Sequence, residues 1–515
     1  MVSRIKKFQP TTSDFISLIL TYAMPNIILN PDYVVKPDDG KALIMATFVG
    51  RNSQSGISDS FTNIIHPIYA MILSFIDGHD HDECIRRAAT ELDVPVDLVS
   101  KFVDSLTDNP EQVYFKSAEG TSAFPPNTII TTGSDEVVER YTPELFEYDK
   151  VNMQMGRHKT PSALTLMLNN ICMTDCIYCY QDKTRKVGCT IPLDRIIELI
   201  HEAHSLHVTT FDVIGGEFFL YEHWREVLRE LRKFGYHPYL STKIPLSEDD
   251  IKYLAELKVH DIQVSVDSLI EDHLIKSLKV KKGYVEKLKH SLSLLDKYGV
   301  PTMVHSVLTQ YNDSIEDMQS VYDTIKDMKH LVDWHVVKGD PTLYPKTDYR
   351  NIEINQSKMN SIIDFLAELS GQNDIIIRYP SKAYIPTADT QLPSEEDKEA
   401  RIKSFFSRSM CSGLFSSLYI LPDGQVTMCE QLYWNKRFII GNVKTQSIAE
   451  IWNSEKANKI YNITQEDIPE DSLCHTCDKF EICRSVRQVC YRDIIQKYGT
   501  DKWYYPDVNC PYANK

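Results

Sequence analysis

Cys172, Cys176 and Cys179 fall within the run Leu166–Tyr180, spaced C-x3-C-x2-C. Three thiolates on one loop can each take one iron of a four-iron, four-sulfur cubane, whose usual ligands are cysteines. The fourth iron then lacks a nearby protein ligand, and an open coordination position is where a metal site does chemistry. The competing reading is a zinc knuckle with Cys189 as its fourth thiol. Seven more cysteines lie between Cys411 and Cys510. Cys411, Gly424 and Cys429 follow C-x12-G-x4-C around the turn Pro422-Asp423-Gly424, Cys474, Cys477 and Cys483 follow C-x2-C-x5-C, and Cys490 and Cys510 come after. Zinc ribbons compete here too, although seven thiols divide awkwardly into four-cysteine sites.

The first loop, with Tyr178 just before its last cysteine, resembles the signature of the radical S-adenosylmethionine (SAM) superfamily. In that family the amino and carboxylate groups of SAM chelate the open iron. Reductive cleavage of SAM then yields a 5′-deoxyadenosyl radical that abstracts a substrate hydrogen. The resemblance implies Cys172, Cys176 and Cys179 as metal ligands and Tyr178 near the adenine. Gly215-Gly216-Glu217 resembles the family's GGE motif, which holds the SAM amino group. Glycines admit a close backbone approach, and a carboxylate suits an ammonium. Phe218 stands where the family usually has proline. Ser241-Thr242-Lys243 stands where relatives often carry a Thr-Asn-Gly turn; Thr242 is carried over as a cofactor contact, whereas Lys243 departs from the pattern. Ser265 and Asp267 match positions where relatives contact the SAM ribose and carboxylate. His305 and His335 read as core histidines.

The later cysteines, with the phrases LPDGQVTMCE and GNVKTQSIAEIWNS, resemble the SPASM domain of peptide-modifying radical SAM enzymes. That resemblance implies a distal auxiliary cluster on Cys474, Cys477, Cys483 and Cys510. It implies a proximal one on Cys411, Cys429 and Cys490, with one iron open to a substrate thiolate. The gap from Cys483 to Cys490 is longer than the family's.

These residues need a scaffold that brings strand ends together. Strand signals at 164–169, 210–214, 239–242, 261–266, 302–308 and 333–337 alternate with helical ones at 193–207, 222–234, 249–257, 283–298 and 314–329. Repeated β-α units predict a parallel sheet with right-handed crossovers. That fits the partial (β/α)6 barrel of the resembled family, in which ligand residues sit at the C-terminal ends of strands. The expected fold class is therefore α/β, with five segments: 1–115, a linker at 116–160, the barrel at 161–340, a connector at 341–404 and the SPASM domain at 405–515. The connector holds a helix, a short strand and a loop with the acidic run Glu395-Glu396-Asp397.

Residues 1–115 begin with three short strand signals, Asn26–Leu29, Tyr33–Lys36 and Ala42–Phe48. Three helical stretches follow, the last carrying Val99, Phe102, Val103 and Leu106. The order is that of a winged helix. Val96–Asp108 has one lysine and three aspartates, which excludes a major-groove reader. The segment resembles the precursor-peptide recognition element of ribosomal peptide-modifying enzymes. It is expected to take a leader peptide by strand addition at Ala42–Phe48, beside the helix at 96–106. Cys84 reads as a core or surface residue.

The chain of 515 residues has a net charge of −16, 42% hydrophobic and 25% charged residues, an ordinary globular composition. The acidity argues against a nucleic-acid partner. The N-terminal apolar patch is broken by Ser17 and Thr21 and shows no clean signal-peptide cleavage site. No apolar run is long enough for a membrane span. Twelve cysteines without an export signal read as metal ligands in a reducing cytoplasm. The expectation is a radical SAM peptide maturase using SAM and three [4Fe–4S] clusters. Its partners would be a precursor peptide with its leader and an electron donor such as a flavodoxin or ferredoxin. Thioether formation at a substrate cysteine is the first reading, carbon–carbon crosslinking the second and formylglycine-type oxidation the third. A non-catalytic iron–sulfur peptide-binding or electron-transfer protein is the rival, and the GGE turn argues against it.

Overall fold

The computed structural model describes residues 25–47, 62–134, 137–138, 140–344, 348–372, 374–381, 395–485 and 489–513. The signal-peptide question and Phe48 lie outside them. The chain divides into two compact units, 1–155 and 156–515.

In the first unit, β1 (Asn26–Leu29), β2 (Tyr33–Asp38) and β3 (Lys41–Ala46) form where expected. Further strands are β4 (Thr62–Ile65), β5 (Asp77–Asp80), β6 (Val113–Lys116), β7 (Thr121–Phe124) and β8 (Ile129–Thr132). Helices span Pro67–Leu73, His81–Glu91 and Val96–Leu106. The antiparallel sheet runs β2-β3-β4, whereas β1 lies between β5 and β8 in a sheet of its own. Two expectations change. First, β3 is paired on both sides, so its backbone groups are taken by β2 and β4 and it is no free edge for strand addition. Second, the segment from 116 on is no bare linker: β7 and β8 lie in it. Phe124 of β7 and Phe115 of β6 join Tyr69 and Phe102 in one aromatic group, with Tyr69 stacked on Phe102 at 4.9 Å and Phe115 5.2 Å from Phe102. Cys84 is fully buried in this core.

The second unit holds the expected parallel β-α succession. Its strands are β9 (Ala163–Met167), β10 (Thr210–Ile214), β11 (Ser241–Thr242), β12 (Ile262–Ser265), β13 (Thr302–Leu308), β14 (Leu331–Lys338) and β15 (Ile377–Arg378). Helices Leu193–Ser205, Trp224–Lys233, Glu248–Glu256, Tyr284–Lys297 and Ile315–Ile325 fall where the periodicity places them, and Glu271–Leu278 is an addition. Strands β11 to β15 pair in order. Strand β13 alternates strictly: Val304, Ser306 and Leu308 are buried, while Met303, His305 and Val307 take the opposite face. Strand β11 is short, and the gap to β10 is bridged by Tyr239, whose N–H donates to Asp212 Oδ1 at 2.9 Å.

The connector is part of this sheet, because β15 pairs in parallel with β14. The acidic run opens a helix, Glu395–Phe406, rather than lying in a loop. The last segment adds β16 (Ser417–Ile420), β17 (Gln425–Thr427) and β18 (Ile439–Asn442). Strand β16 pairs in parallel with β9, so one sheet runs β10-β9-β16-β17-β18. Gly424, at φ +87°, makes the β16–β17 turn, and a Cβ there would lie 2.7 Å from Asn442 Oδ1. Arg157, just before β9, is clamped by this segment. It donates to the carbonyls of Leu414 at 2.8 Å and Trp452 at 2.6 Å, and its guanidinium lies 4.1 Å over the Trp452 ring. The ring contact alone contributes about 0.5–2 kcal/mol.

Candidate functional site

The loop carrying Cys172, Cys176 and Cys179 leaves the end of β9 and is fastened at three points. Asp175 N–H donates to the carbonyl of Leu278 at 2.9 Å, and Ile177 N–H to that of Ser277 at 3.0 Å. Asn169 ties the loop to the end of β10: its side-chain amide donates to the Glu217 carbonyl at 3.0 Å, and its carbonyl accepts from Gly216 N–H at 2.6 Å. A Cβ on Gly216 would lie 2.3 Å from the Ile171 carbonyl oxygen, so only glycine fits against the loop.

All three thiols line one cavity of about 370 Å³. Tyr178, Gly215, Gly216, Glu217, Thr242 and Ser265 line it with them. Burial pushes the Cys172 thiol up to about 12 and raises Cys176 as well, with the neighbouring cysteines adding to it. Such thiols ionise when a metal takes them, and the donor set fits a thiolate-bound cluster. Among the described residues no three His, Cys, Asp or Glu converge to hold a single metal ion.

Glu217 is 3% exposed. Its carboxylate accepts from Thr242 Oγ1 at 3.0 Å, Lys243 N–H at 3.3 Å and Phe219 N–H at 3.4 Å. Burial pushes its carboxyl up to about 7 against the pull of these donors. Asp267 does not line the cavity. It is 1% exposed and accepts from the Tyr178 hydroxyl, from Lys243 Nζ at 3.4 Å and from Val307 N–H at 3.0 Å. It stands behind Tyr178 and Lys243. His305 lines the cavity rather than packing in the core, while His335 packs edge-on against it at 5.4 Å. Burial, with Lys243 nearby, pushes His305 down to about 4.

The later cysteines form two groups. Cys474, Cys477, Cys483 and Cys510 line one small cavity, and Arg408 Nη2 reaches Cys483 Sγ at 3.4 Å. Cys411 and Cys490 both act electrostatically on Cys429, whose thiol burial pushes up to about 12. Cys189 joins neither group: its thiol faces the Ile191 carbonyl at 3.6 Å and the Tyr221 side chain.

Sequence reading did not assign Lys243, Gln431 or Arg492 to the main cavity. Lys243 was legible only as a departure from a familiar turn. Gln431 and Arg492 line the same cavity as the three-cysteine loop, and each stands two residues past a proximal cysteine, Cys429 or Cys490. That spacing was the available signal.

Comparison with known proteins follows the same division. Residues 166–325 match the radical SAM superfamily, and residues 411–478 match the SPASM iron–sulfur cluster-binding domain. The antilisterial bacteriocin subtilosin biosynthesis protein AlbA of Bacillus subtilis is 20% identical over 331 residues, 62% of this chain and 66% of that protein. The sporulation killing factor maturation protein SkfB of the same organism is 21% identical over 160 residues, 31% of this chain and 38% of that protein. The chain thus spans just under two thirds of the first relative and about two fifths of the second. Streptococcus suis SuiB shares the fold. Its structure bound to S-adenosylmethionine aligns with a TM-score of 0.58 and 12% identity, covering 94% of this chain and 99% of SuiB. Its structure bound to the precursor peptide SuiA gives 0.60 at the same identity and coverage. The chain thus carries a radical SAM domain and a SPASM domain, and the cofactors that go with them are S-adenosylmethionine and [4Fe–4S] clusters.

Proposed function

We propose that this enzyme modifies a ribosomally made precursor peptide, joining a cysteine sulfur to a peptide carbon as a thioether. The main cavity carries the reading. One wall is the three-cysteine loop, and another includes Gln431 and Arg492, beside Cys429 and Cys490. A peptide in this space has a C–H bond facing the three-cysteine loop and a sulfur on the side of Gln431 and Arg492. The relatives support a peptide substrate: one serves bacteriocin biosynthesis, one killing-factor maturation, and one forms a complex with a precursor peptide.

In this reading Cys172, Cys176 and Cys179 hold the SAM-cleaving cluster. Gly215, Gly216 and Glu217 receive the SAM amino group, and Thr242, Ser265 and Tyr178 shape the pocket around it. Cys411, Cys429 and Cys490 hold the proximal auxiliary cluster and Cys474, Cys477, Cys483 and Cys510 the distal one. When bound, SAM and its cluster supply a 5′-deoxyadenosyl radical that takes a hydrogen atom from the peptide. Thioether formation also releases the thiol proton and leaves one electron to be carried off, which calls for a redox centre beside the substrate. Flavodoxin or ferredoxin supplies the first electron. The N-terminal unit receives the leader, at a place other than β3.

The test is co-expression with a cysteine-containing precursor, followed by mass spectrometry and thiol alkylation. A thioether removes two hydrogens and one alkylatable thiol. The same mass loss with every thiol retained indicates a carbon–carbon link. An unchanged peptide, or no 5′-deoxyadenosine from the reduced enzyme with SAM, sinks the reading.

A further inference from the structure

The methionine end of SAM is an α-amino acid zwitterion. A pocket for it needs an anion for the ammonium and a cation for the carboxylate, close enough to serve one carbon. Glu217 provides the anion. Lys243 stands where the cation belongs. Its backbone N–H donates to Glu217 Oε2 at 3.3 Å, so the two side chains leave adjoining strand ends. Its side chain lines the cavity that holds the three thiols.

The lysine is also aimed. An ammonium has three donors. One points to Asp267 Oδ1 at 3.4 Å, and Nζ is 5.4 Å from the centre of the Tyr178 ring. Asp267 is itself locked by the Tyr178 hydroxyl and Val307 N–H. Buried behind the wall, it is a counterion that fixes Lys243 rather than a ligand contact. The other cavity cations, Lys338 and Arg492, pair with Glu353 at 2.6 Å and Asp493 at 3.0 Å. They belong to the end of β14 and the helix after Cys490, not to the strand ends that carry Glu217.

We propose that Lys243 binds the carboxylate of SAM, and that Asp267 acts only through it as a positioning residue. The inference rests on the SAM-cleaving reading above. It accounts for a lysine at a position where the resembled family favours a small polar turn.

The experiment compares dissociation constants for SAM and decarboxylated SAM on the anaerobically reconstituted full chain. Lys243→Met is expected to weaken SAM by about tenfold to a hundredfold, the range for a hydrogen bond to a charged group. Decarboxylated SAM should change little, and Lys243→Arg should recover part of the loss. Asp267→Asn should weaken SAM less, again sparing the decarboxylated ligand. The double variant Lys243→Met, Asp267→Asn avoids a stranded buried charge and should repeat the SAM-selective loss if the single variant fails to fold. Equal weakening of both ligands overturns the proposal, because the lysine then only maintains the pocket. Unchanged SAM binding by Lys243→Met also overturns it. If the wild-type chain binds neither ligand, the SAM-cleaving reading falls first and the proposal with it.

Discussion

The two thiol regions are built in opposite ways. Cys172, Cys176 and Cys179 share one short loop, fixed by backbone hydrogen bonds to Ser277 and Leu278 and by contact with Gly216. Their relative positions are set once β9 and β10 pair and the helix Glu271–Leu278 packs against the loop. The seven later cysteines are spread from Cys411 to Cys510 and converge only after β16, β17, β18 and the helix at 491–498 have formed. Metal binding contributes most to folding where a site does not exist beforehand. The auxiliary sites should therefore depend on their clusters for structure, and the SAM-side loop should not.

The largest effects break that comparison directly. Cys176→Ala should remove roughly four irons per chain and reduce 5′-deoxyadenosine formation to background, while the far-ultraviolet circular dichroism stays that of the wild type. Cys429→Ala should also cost roughly four irons, but it should keep SAM cleavage and lose the peptide crosslink. It should also lower the midpoint of thermal unfolding more than Cys176→Ala does. If Cys429→Ala abolished SAM cleavage as well, the two regions would work as one inseparable unit.

A medium effect sharpens the comparison on the barrel side. Glu217 has its carboxyl pushed up to about 7 by burial. Ionised, it attracts an ammonium; protonated, it does not. SAM binding should therefore weaken as the pH falls through 7, by roughly eightfold between pH 7.5 and pH 6 for a group of that pKa. Glu217→Gln should bind SAM more weakly at pH 7.5 and show a flat profile. For the ligand-free fold the sign reverses. The folded-state carboxyl lies above its ordinary value of 4.5, so its contribution to stability is full below that pH and is lost as the pH rises through 7.

Much of this barrel was legible in sequence because local pattern and global position agree there. Strand β13 reads as a strand from β-branched Thr302, Val304 and Val307 in a short run after Gly299 and Pro301, and its cavity-facing side delivers His305 and Val307. Glu217 was legible because Gly216 before it admits no side chain. What was not legible depends on partners far away in the chain. Asp267 was legible as a strand-end carboxylate but its partners were not: Tyr178, 89 positions earlier, donates to it and Lys243 pairs with it. Strand β16 pairs with β9 across some 250 intervening residues. Strand β3 looked like an edge because β4, its second partner, is a short strand with a weak apolar pattern.

The smallest expected effect concerns Cys189, and it separates the two metal readings of the first loop. As the fourth ligand of a zinc knuckle, its thiol would have to turn toward Cys172, Cys176 and Cys179. It faces the Ile191 carbonyl and the Tyr221 side chain instead, outside the cavity those three line. Cys189→Ser should thus leave iron content, brown colour and 5′-deoxyadenosine formation unchanged. It should cost no more than about 1 kcal/mol in denaturant unfolding, since it alters one half-buried side chain without opening a void. Loss of bound metal in this variant would place Cys189 among the ligands, close the first site with a fourth thiol and leave SAM no iron to chelate.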